Sequence, residues 1–346
     1  MANLSASFES GAARGMLGLP AALLRIMAGK PIVRDGQTLD VQCQLLLKIM
    51  RTRGVKLGEG EVDAQRKQML AQSSALAPRA NGAIDTSEFV LAGAKGSLAA
   101  RRYQPEHAAD GAAIVFYHGG GFVLGDLDSH DGLCRALADR AAATVIAIDY
   151  RRAPEHPAPA AALDAVAAFR DIVSRADKLG LDPRRLAVAG DSAGGNLAAV
   201  VAQQTRDDPT APCAQLLLYP TVDFAEDKPS KDRFATGFFL EKASMDWFER
   251  HYLPDGYDKR DPMVSPLRGD LAGVAPAIVV TAGFDPLRDE GEAYAAALKT
   301  AGVDAVSRRE PGLLHGFANF AGGVERAGQA LREAADELRA RFDAVA

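Results

Sequence analysis

The feature that most constrains this chain is a series of short apolar runs, separated by stretches with helical spacing. Five such runs are present, at residues 113–116, 144–148, 186–189, 215–219 and 277–280. Short, almost wholly apolar runs are typical of strands buried on both faces of a parallel sheet. Helical patterns at 160–176 and 289–301 lie between them. The alternation predicts an α/β fold with a mostly parallel, doubly wound sheet and helices on both faces.

Two regions do not follow this pattern. Residues 1–80 contain helical stretches, one of which carries Leu45, Leu46 and Ile49 on a single face. Residues 223–270 separate two strands and include an aromatic-rich part, with a helix predicted at 244–252. An insertion of this length in an α/β frame is usually functional, for example as a lid over a site. The pattern therefore divides the chain into four parts, which are 1–80, 81–222, 223–270 and 271–346.

Composition and charge exclude some classes of protein. The 346 residues carry a formal net charge of −5 and are 48% hydrophobic, as in an ordinary globular domain. The chain has no basic stripe to neutralise phosphates, so we expect no nucleic-acid partner. Three widely spaced cysteines, Cys43, Cys134 and Cys213, indicate buried free thiols in a reducing compartment. The expected location is the cytoplasm.

The N-terminal region has one apolar stretch, Met16–Gly29, which is interrupted by Pro20 and Arg25. It is too short to span a bilayer, so no stable membrane insertion is expected. Residues 1–10 lack the basic start of a signal peptide. The stretch is either an amphipathic surface helix that meets a membrane or partner, or a helix packed over the chain's own pocket. We favour the second interpretation.

The strongest local motif is Gly-Asp-Ser-Ala-Gly at residues 190–194, with Ser192 at its centre. It follows a predicted strand and precedes a helical run at 196–204. A serine hydroxyl is a poor nucleophile unless it is exposed beside a base, and a sharp strand-to-helix turn exposes it. Such a turn leaves no room for Cβ atoms at Gly190 and Gly194. The context predicts a nucleophile elbow rather than a plain turn.

A second motif, His-Gly-Gly-Gly-Phe at residues 118–122, directly follows the strand at 113–116. Three glycines leave backbone N–H groups free to point into a cavity, as a negatively charged tetrahedral intermediate requires. The N–H of Ala193, after the nucleophile, is expected to be a further donor. A phosphate-binding loop would need a lysine and a hydroxyl residue after the glycines, and neither is present. His118 is expected to brace this loop.

Partners for Ser192 follow two later strands. Asp285 comes just after the strand at 277–280, and His315 just after the segment 305–309. Open α/β sheets place their sites at the carboxyl ends of strands, so these side chains are expected to meet Ser192. The order serine, acid, histidine is that of α/β-hydrolases. Asp289 and Glu290 are weaker candidates for the acid, because we expect them one turn into the next helix.

Five linked motifs together resemble the hormone-sensitive-lipase family of bacterial esterases, in its Gly-Asp-Ser-Ala-Gly branch. They lie at residues 118–122, 149–157, 190–195, 285–291 and 315–317. The resemblance implies an α/β-hydrolase fold and oxyanion donors at Gly120, Gly121 and Ala193. It also implies a helical cap made of residues 1–80 and 223–270. Arg152 and Ala158 depart from the family pattern, which usually has leucine and an aromatic residue there.

These features predict hydrolysis of short- to medium-chain acyl esters by a triad of Ser192, His315 and Asp285. No cofactor or metal is expected, and the partner is a small-molecule ester. A lactonase, amidase or deacetylase would share this chemistry, and a non-catalytic small-molecule receptor would share the fold. A homodimer is left open. Pocket residues are sought in the aromatic-rich insertion, namely Phe238, Phe239, Met245, Trp247 and Phe248.

One ion pair is also expected near the 149–157 motif. Arg151 and Glu155 carry opposite charges four residues apart. We expect them to pair with each other and brace the fold, rather than to hold substrate.

Overall fold

The computed structural model describes residues 14–345, and its centre is an eight-stranded sheet. The strands of this sheet are β3 (Ile84–Gly93), β4 (Gly96–Pro105), β5 (Ala113–Tyr117), β6 (Thr144–Ile148), β7 (Leu186–Asp191), β8 (Ala214–Leu218), β9 (Ala277–Phe284) and β10 (Ala305–Leu314). A separate two-stranded ribbon consists of β1 (Val33–Arg34) and β2 (Gln37–Thr38). The order across the large sheet is β10-β9-β8-β7-β5-β6-β4-β3.

Helices surround this sheet. They are α1 (Ala21–Ala28), α2 (Val41–Thr52), α3 (Val62–Leu76), α4 (Asp131–Ala141), α5 (Ala160–Ser174), α6 (Ala176–Leu179), α7 (Ala193–Gln204), α8 (Pro229–Arg233), α9 (Lys242–Tyr252), α10 (Arg288–Thr300) and α11 (Glu325–Val345). Three short 3₁₀ turns lie at Pro183–Arg185, Pro266–Arg268 and Phe317–Phe320.

The predicted fold class is confirmed. The five apolar runs form β5 to β9. Together with β10, these strands pair in parallel in the sheet order β10-β9-β8-β7-β5-β6. Each residue of β5, β6 and β8 is buried, which explains why these runs are apolar throughout. Two hydrophobic layers flank the sheet. One contains Phe169, Leu197 and Leu298, and the other contains Leu137 and Leu338.

The antiparallel strands β3 and β4 were not predicted. They pair with each other as a hairpin, and β4 pairs with β6. Most of β3 is exposed or half-buried, because it is the edge strand of the sheet. Its apolar run at 89–92 has one buried residue, Leu91, and includes the exposed Val90, unlike the wholly buried central strands.

The two parts predicted to be irregular contact each other. Ser244, in α9, donates a hydrogen bond to the carbonyl of Leu57 at 2.6 Å. The indole N–H of Trp247 donates to the carbonyl of Gly60 at 3.0 Å. Helix α9 of the insertion is thus hydrogen-bonded directly to the chain between α2 and α3, in the N-terminal part.

The structure can be compared with the predictions of free buried thiols and of no membrane-spanning segment. Cys43, Cys134 and Cys213 are free thiols, the first two of them buried. Burial raises the pKa of Cys213 to about 11, so this thiol is poorly reactive at neutral pH. Among residues 14–345, no helix combines the length and the apolar character needed to cross a bilayer.

Candidate active site

Ser192 lies in a sharp turn between β7 and α7. Its φ of 54° is positive, which is strained for a residue other than glycine. A Cβ atom on Gly194 would lie 1.8 Å from the carbonyl oxygen of Tyr117, and one on Gly190 would lie 2.2 Å from the carbonyl carbon of Gly194. The turn therefore excludes a side chain at both positions, and the serine side chain is presented at its apex.

The structure brings Ser192, His315 and Asp285 together. His315 Nε2 lies 3.0 Å from Ser192 Oγ, and His315 Nδ1 lies 2.8 Å from Asp285 Oδ2. A carboxylate only accepts, so Nδ1 carries the proton and Nε2 is left to accept from the serine hydroxyl. Asp285 follows the end of β9 and His315 the end of β10. These strands are neighbours, so their carboxyl ends bring both side chains to one edge of the sheet.

The two weaker acid candidates lie elsewhere. Asp289 pairs with Arg288 and accepts a bond from the backbone N–H of Ser230 at 2.9 Å. Glu290 is fully buried and accepts from the N–H of Val222 at 2.8 Å. Burial raises the pKa of Glu290 against the opposing effect of a nearby lysine. Both carboxylates hold α10 and the chain after β8, rather than His315.

Backbone hydrogen bonds orient the glycine loop. His118 Nδ1 donates to the carbonyl of Gly119 at 2.8 Å, so the Gly120 N–H of the same trans peptide points the opposite way. The carbonyl of Gly120 accepts from the N–H of Val123 at 3.1 Å and of Leu124 at 2.8 Å, which orients the Gly121 N–H likewise. Within residues 14–345, neither glycine N–H donates to a protein acceptor.

The third expected donor is the N–H of Ala193. Ala193 is the first residue of α7, and N–H groups in the first turn of a helix have no partner within the helix. The helix dipole also favours negative charge at this end. Gly120, Gly121 and Ser192 border the same cavity. The structure thus brings the three expected donors to the nucleophile.

Asp191 supports this loop, and the sequence analysis missed that role. Its Oδ1 accepts the Gly119 N–H at 2.8 Å and its Oδ2 accepts from the Asn319 amide at 3.1 Å. His130 Nε2 lies 3.4 Å from Oδ1. Burial works to raise the pKa of Asp191, but His130 and the Gly119 N–H outweigh it and hold that pKa below its usual value. The carboxylate therefore stays ionised and anchors the loop beside Ser192.

His118 is buried and neutral, which suits its expected role of bracing the glycine loop. Its ring stacks on Tyr150 with centroids 4.3 Å apart. Burial, followed by the nearby His130, lowers the pKa of His118 to about 3. The neutral ring keeps Nδ1–H as the donor to Gly119.

This low pKa predicts that acid unfolds the protein partly through His118. An unfolded histidine titrates near 6.5, so below that pH only the unfolded chain takes up the proton, and the stability from this group is lost as pH falls toward the folded pKa. Between pH 7 and pH 5 the loss is about 2 kcal/mol. Urea unfolding of wild type and His118→Gln at both pH values checks this. The variant should lose about 2 kcal/mol less than the wild type, and equal losses would contradict the prediction.

A cavity of about 460 Å³ opens onto Ser192. Helices α2, α3 and α9 and the chain around them provide most of its walls. The wall is largely apolar, through Leu46, Ile49, Met50, Leu57, Met69, Phe224, Phe239, Leu240, Met245, Phe248 and Phe320. The predicted pocket residues Phe239, Met245 and Phe248 are therefore part of it.

Two predicted pocket residues lie outside this wall, and the prediction is corrected for them. Phe238 is buried against Phe284, with ring centroids 5.3 Å apart. Trp247 lies on a different face of α9 from Met245 and Phe248, because residues three apart share a helix face and adjacent residues do not. Its indole instead bonds to Gly60.

The expectation that Met16–Gly29 packs over the pocket is wrong. None of its residues lines the cavity. Helix α1 packs on α2 through Leu24, and its outer face leaves Leu23 46% and Ile26 77% exposed. The alternative, an amphipathic surface helix, fits this placement.

The expected pair of Arg151 and Glu155 is also wrong. Arg151 binds Asp164 in α5 through two bonds of 2.7 and 2.8 Å. Asp164 is fully buried, and a buried carboxylate needs a charged partner. Glu155 is left to bind Arg66 of α3.

Known proteins match both the sequence and the fold. A family model described as the alpha/beta hydrolase fold matches residues 114–319. A carboxylic ester hydrolase of Mycobacterium tuberculosis, LipN, is 45% identical over 94% of this chain and 90% of its own length. An ethyl acetate hydrolase of Pseudomonas putida is 40% identical over 78% of this chain and 87% of its own length.

Solved structures agree. An ester hydrolase from the metagenome of Lake Arreo superposes with a TM-score of 0.84 and 42% identity, over 88% of this chain and 99% of that one. The thermostable carboxylesterase EstE1, from a metagenomic library, gives 0.77 and 41%, over 82% of this chain and 98% of that one. The motifs, the sheet and these matches agree, and the chain belongs to the hormone-sensitive-lipase-like family of α/β-hydrolases.

Proposed function

We propose that this chain is a serine carboxylic-ester hydrolase with Ser192 as nucleophile, His315 as general base and Asp285 as the acid that orients it. The observation that carries the proposal is His315, whose two ring nitrogens lie 3.0 Å from Ser192 Oγ and 2.8 Å from Asp285 Oδ2. The similar proteins named as ester hydrolases support the same reaction class.

The reaction follows from this geometry. His315 Nε2 takes the proton as Ser192 Oγ attacks the ester carbonyl, and Asp285 stabilises the imidazolium. The negative oxygen is bound by the N–H groups of Gly120, Gly121 and Ala193. His315 then gives its proton to the departing alcohol, which leaves an acyl-serine. Water, deprotonated by the same nitrogen, attacks the acyl-serine. His315 then returns that proton to Ser192 Oγ as the acyl–oxygen bond breaks, which releases the carboxylic acid and restores the free enzyme.

Residues 14–80 and 223–270 together act as the cap of this site. The support is their direct contact through Ser244 and Trp247, and their joint supply of cavity wall. A lactonase, amidase or deacetylase would use the same acyl chemistry. A receptor has no need of a base at position 315, and the His315 contacts favour an enzyme. The cytoplasmic location and a homodimer stay predictions.

A phosphonylation experiment tests the assignment. A fluorophosphonate reacts with an activated serine and mimics the tetrahedral intermediate. We expect one label on each chain, located by peptide mass spectrometry on the segment with Ser192. Turnover of p-nitrophenyl acetate should fall in proportion to labelling. A screen of esters, lactones and amides then separates the alternatives. Absence of turnover on all three, or labelling at another serine, would overturn the proposal.

The cavity predicts a preference for short acyl chains. Each methylene buried in an apolar pocket contributes about 0.8 kcal/mol, so kcat/KM should rise with chain length until the pocket is full. Beyond that point an added methylene meets the cap and destabilises the complex. We expect the best esters to have roughly two to eight acyl carbons.

The measurement compares p-nitrophenyl esters from two to sixteen acyl carbons, with a triglyceride emulsion assayed alongside. The four-carbon ester should exceed the sixteen-carbon ester in kcat/KM. Preference for the sixteen-carbon ester, or a rate jump at the emulsion surface, would instead indicate a lipase with an opening lid.

A further inference from the structure

Arg66 lies on α3, between the cavity-lining residues Gln65 and Gln68, but its guanidinium contacts the hydrolase core. Nε donates to the carbonyl of Val123 at 3.0 Å, and Nη2 donates to the carbonyl of Ala153 at 2.9 Å. The same group binds both oxygens of Glu155, at 2.6 and 2.8 Å. One side chain of the N-terminal region thus holds two separate backbone segments of the core.

The first contact leads directly to the glycine loop. The Val123 carbonyl belongs to the same peptide unit as the Leu124 N–H. That N–H donates to the carbonyl of Gly120 at 2.8 Å. The Gly120 carbonyl in turn belongs to the peptide unit of the Gly121 N–H, the expected oxyanion donor. Because peptide units are planar and rigid, fixing the Val123 carbonyl constrains the direction of the Gly121 N–H.

The second contact reaches the same peptide by a less direct route, because the Ala153 carbonyl that Arg66 binds and the Ala153 N–H lie in adjacent peptide units. The N–H of Ala153 donates to the carbonyl of Phe122 at 2.9 Å. The Phe122 carbonyl shares its peptide unit with the Val123 N–H, which donates to the Gly120 carbonyl at 3.1 Å. Both routes from Arg66 therefore converge on the carbonyl of Gly120.

The Arg66 side chain is held in one position by its burial and its hydrogen bonds. Its side chain is only 20% exposed. The bonds to Glu155 raise the pKa of Arg66, so the guanidinium stays charged. A planar, charged fork loses less rotamer freedom for each bond than a lysine would. Oxyanion donors need such support, because they act only when held 2.7–3.1 Å from the developing charge.

We propose that Arg66 is a positioning residue that sets the direction of the Gly121 N–H toward the oxyanion. This inference rests on the proposed function, since it assumes that Gly121 is an oxyanion donor. It gives α3 a second role besides covering the cavity. Displacement of α3 would release Val123 and Ala153, so opening of this part of the cap and loss of oxyanion stabilisation are coupled.

The test compares Arg66→Met with Arg170→Met. Arg170, on α5, also binds both oxygens of a carboxylate, Asp208, and a backbone carbonyl, but it lies outside the cavity wall. Active sites are counted by the burst of an activated ester, so that kcat refers to folded enzyme. We expect Arg66→Met to lower kcat by about 10- to 100-fold with KM within about threefold. Arg170→Met should keep kcat within about twofold.

A tetrahedral-adduct inhibitor distinguishes positioning from general stability. A trifluoromethyl ketone forms an oxyanion in the site, so its Kd should rise in Arg66→Met by the factor by which kcat/KM falls. Glu155→Gln leaves the two carbonyl contacts of Arg66 available and should cost less than about threefold in kcat. A loss in Glu155→Gln equal to that in Arg66→Met would overturn the proposal, as would unchanged inhibitor binding in Arg66→Met.

Two further outcomes separate this proposal from the proposed function. If Ser192 is labelled and required, yet Arg66→Met keeps kcat within about twofold, the positioning role alone is wrong. Turnover without Ser192 would overturn the proposed function itself. Should Arg66→Met fail to fold, Arg66→Lys decides. Lysine keeps the charge but not the fork, so kcat should fall about three- to tenfold, and wild-type kcat would refute the role.

Discussion

Replacing Ser192 with alanine is expected to abolish ester hydrolysis, with a loss in kcat of about 10⁶. The alanine has no atom that can form the acyl intermediate, and water held beside His315 is a much poorer substitute. The fold should be unaffected, because within residues 14–345 the only hydrogen bond of the Ser192 hydroxyl is to His315. The positive φ of this residue is strained for alanine as it is for serine.

The measurement is p-nitrophenyl butyrate hydrolysis at enzyme concentrations high enough to detect a millionfold loss, with thermal unfolding as the check on folding. Ser174→Ala is the control, since in the part of the chain that the structure describes the exposed Ser174 hydroxyl bonds only to the carbonyl of Asp171, one turn earlier in α5. It should keep both turnover and fluorophosphonate labelling. Wild-type-like hydrolysis by Ser192→Ala would show that the nucleophile is another residue.

The parts of the site that were predictable are those set by local geometry. A turn that tolerates no Cβ at Gly190 and Gly194 can be recognised from five consecutive residues. The same holds for a glycine loop that directly follows a buried strand. Asp285 and His315 were predictable because each follows a strand, and the carboxyl ends of parallel strands meet at one edge.

Contacts between distant segments were not predictable in this way. Arg66 reaches Val123 and Glu155 across 57 and 89 residues, and no local spacing encodes that approach. Arg151 was assigned to Glu155, four residues away in the sequence, whereas the buried Asp164 has the stronger need for a cation.

Amphipathic elements were misjudged for a related reason. The aromatic residues of the insertion serve both the cavity and the packing behind it, so composition alone does not separate Phe239 from Phe238. The edge strand β3 faces solvent over most of its length, and its short apolar run at 89–92 was not recognised as a strand. Where the burial of a residue depends on its tertiary neighbours, the local pattern of apolar residues does not predict it.

Asp285→Asn is expected to lower kcat by about 10⁴ while leaving the protein folded. The reason is a choice between two hydrogen bonds. Asp285 is fully buried, and its Oδ1 accepts the N–H of Leu287 at 2.8 Å while its Oδ2 accepts from His315 Nδ1 at 2.8 Å. An amide has only one oxygen. The Leu287 N–H can only donate, so that oxygen is expected to stay with it.

The amide nitrogen then faces His315 Nδ1 and donates to it. Nδ1 must become the acceptor, which moves the ring proton to Nε2 and leaves Nε2 unable to take the proton of Ser192. The variant would thus keep the shape of the site but hold the base in the wrong tautomer. Loss of the carboxylate also removes the charge that stabilises the imidazolium.

Asp289→Asn is the matched control, because it makes the same chemical change four residues along the chain. Asp289 binds Arg288 and the backbone of Ser230, whereas the carboxylate on His315 is that of Asp285. We expect its kcat to fall by less than about threefold. Both variants are compared by kcat for p-nitrophenyl butyrate at fixed pH, with thermal unfolding as the folding check. If Asp289→Asn were the more damaging change, Asp285 would not be the acid of the triad.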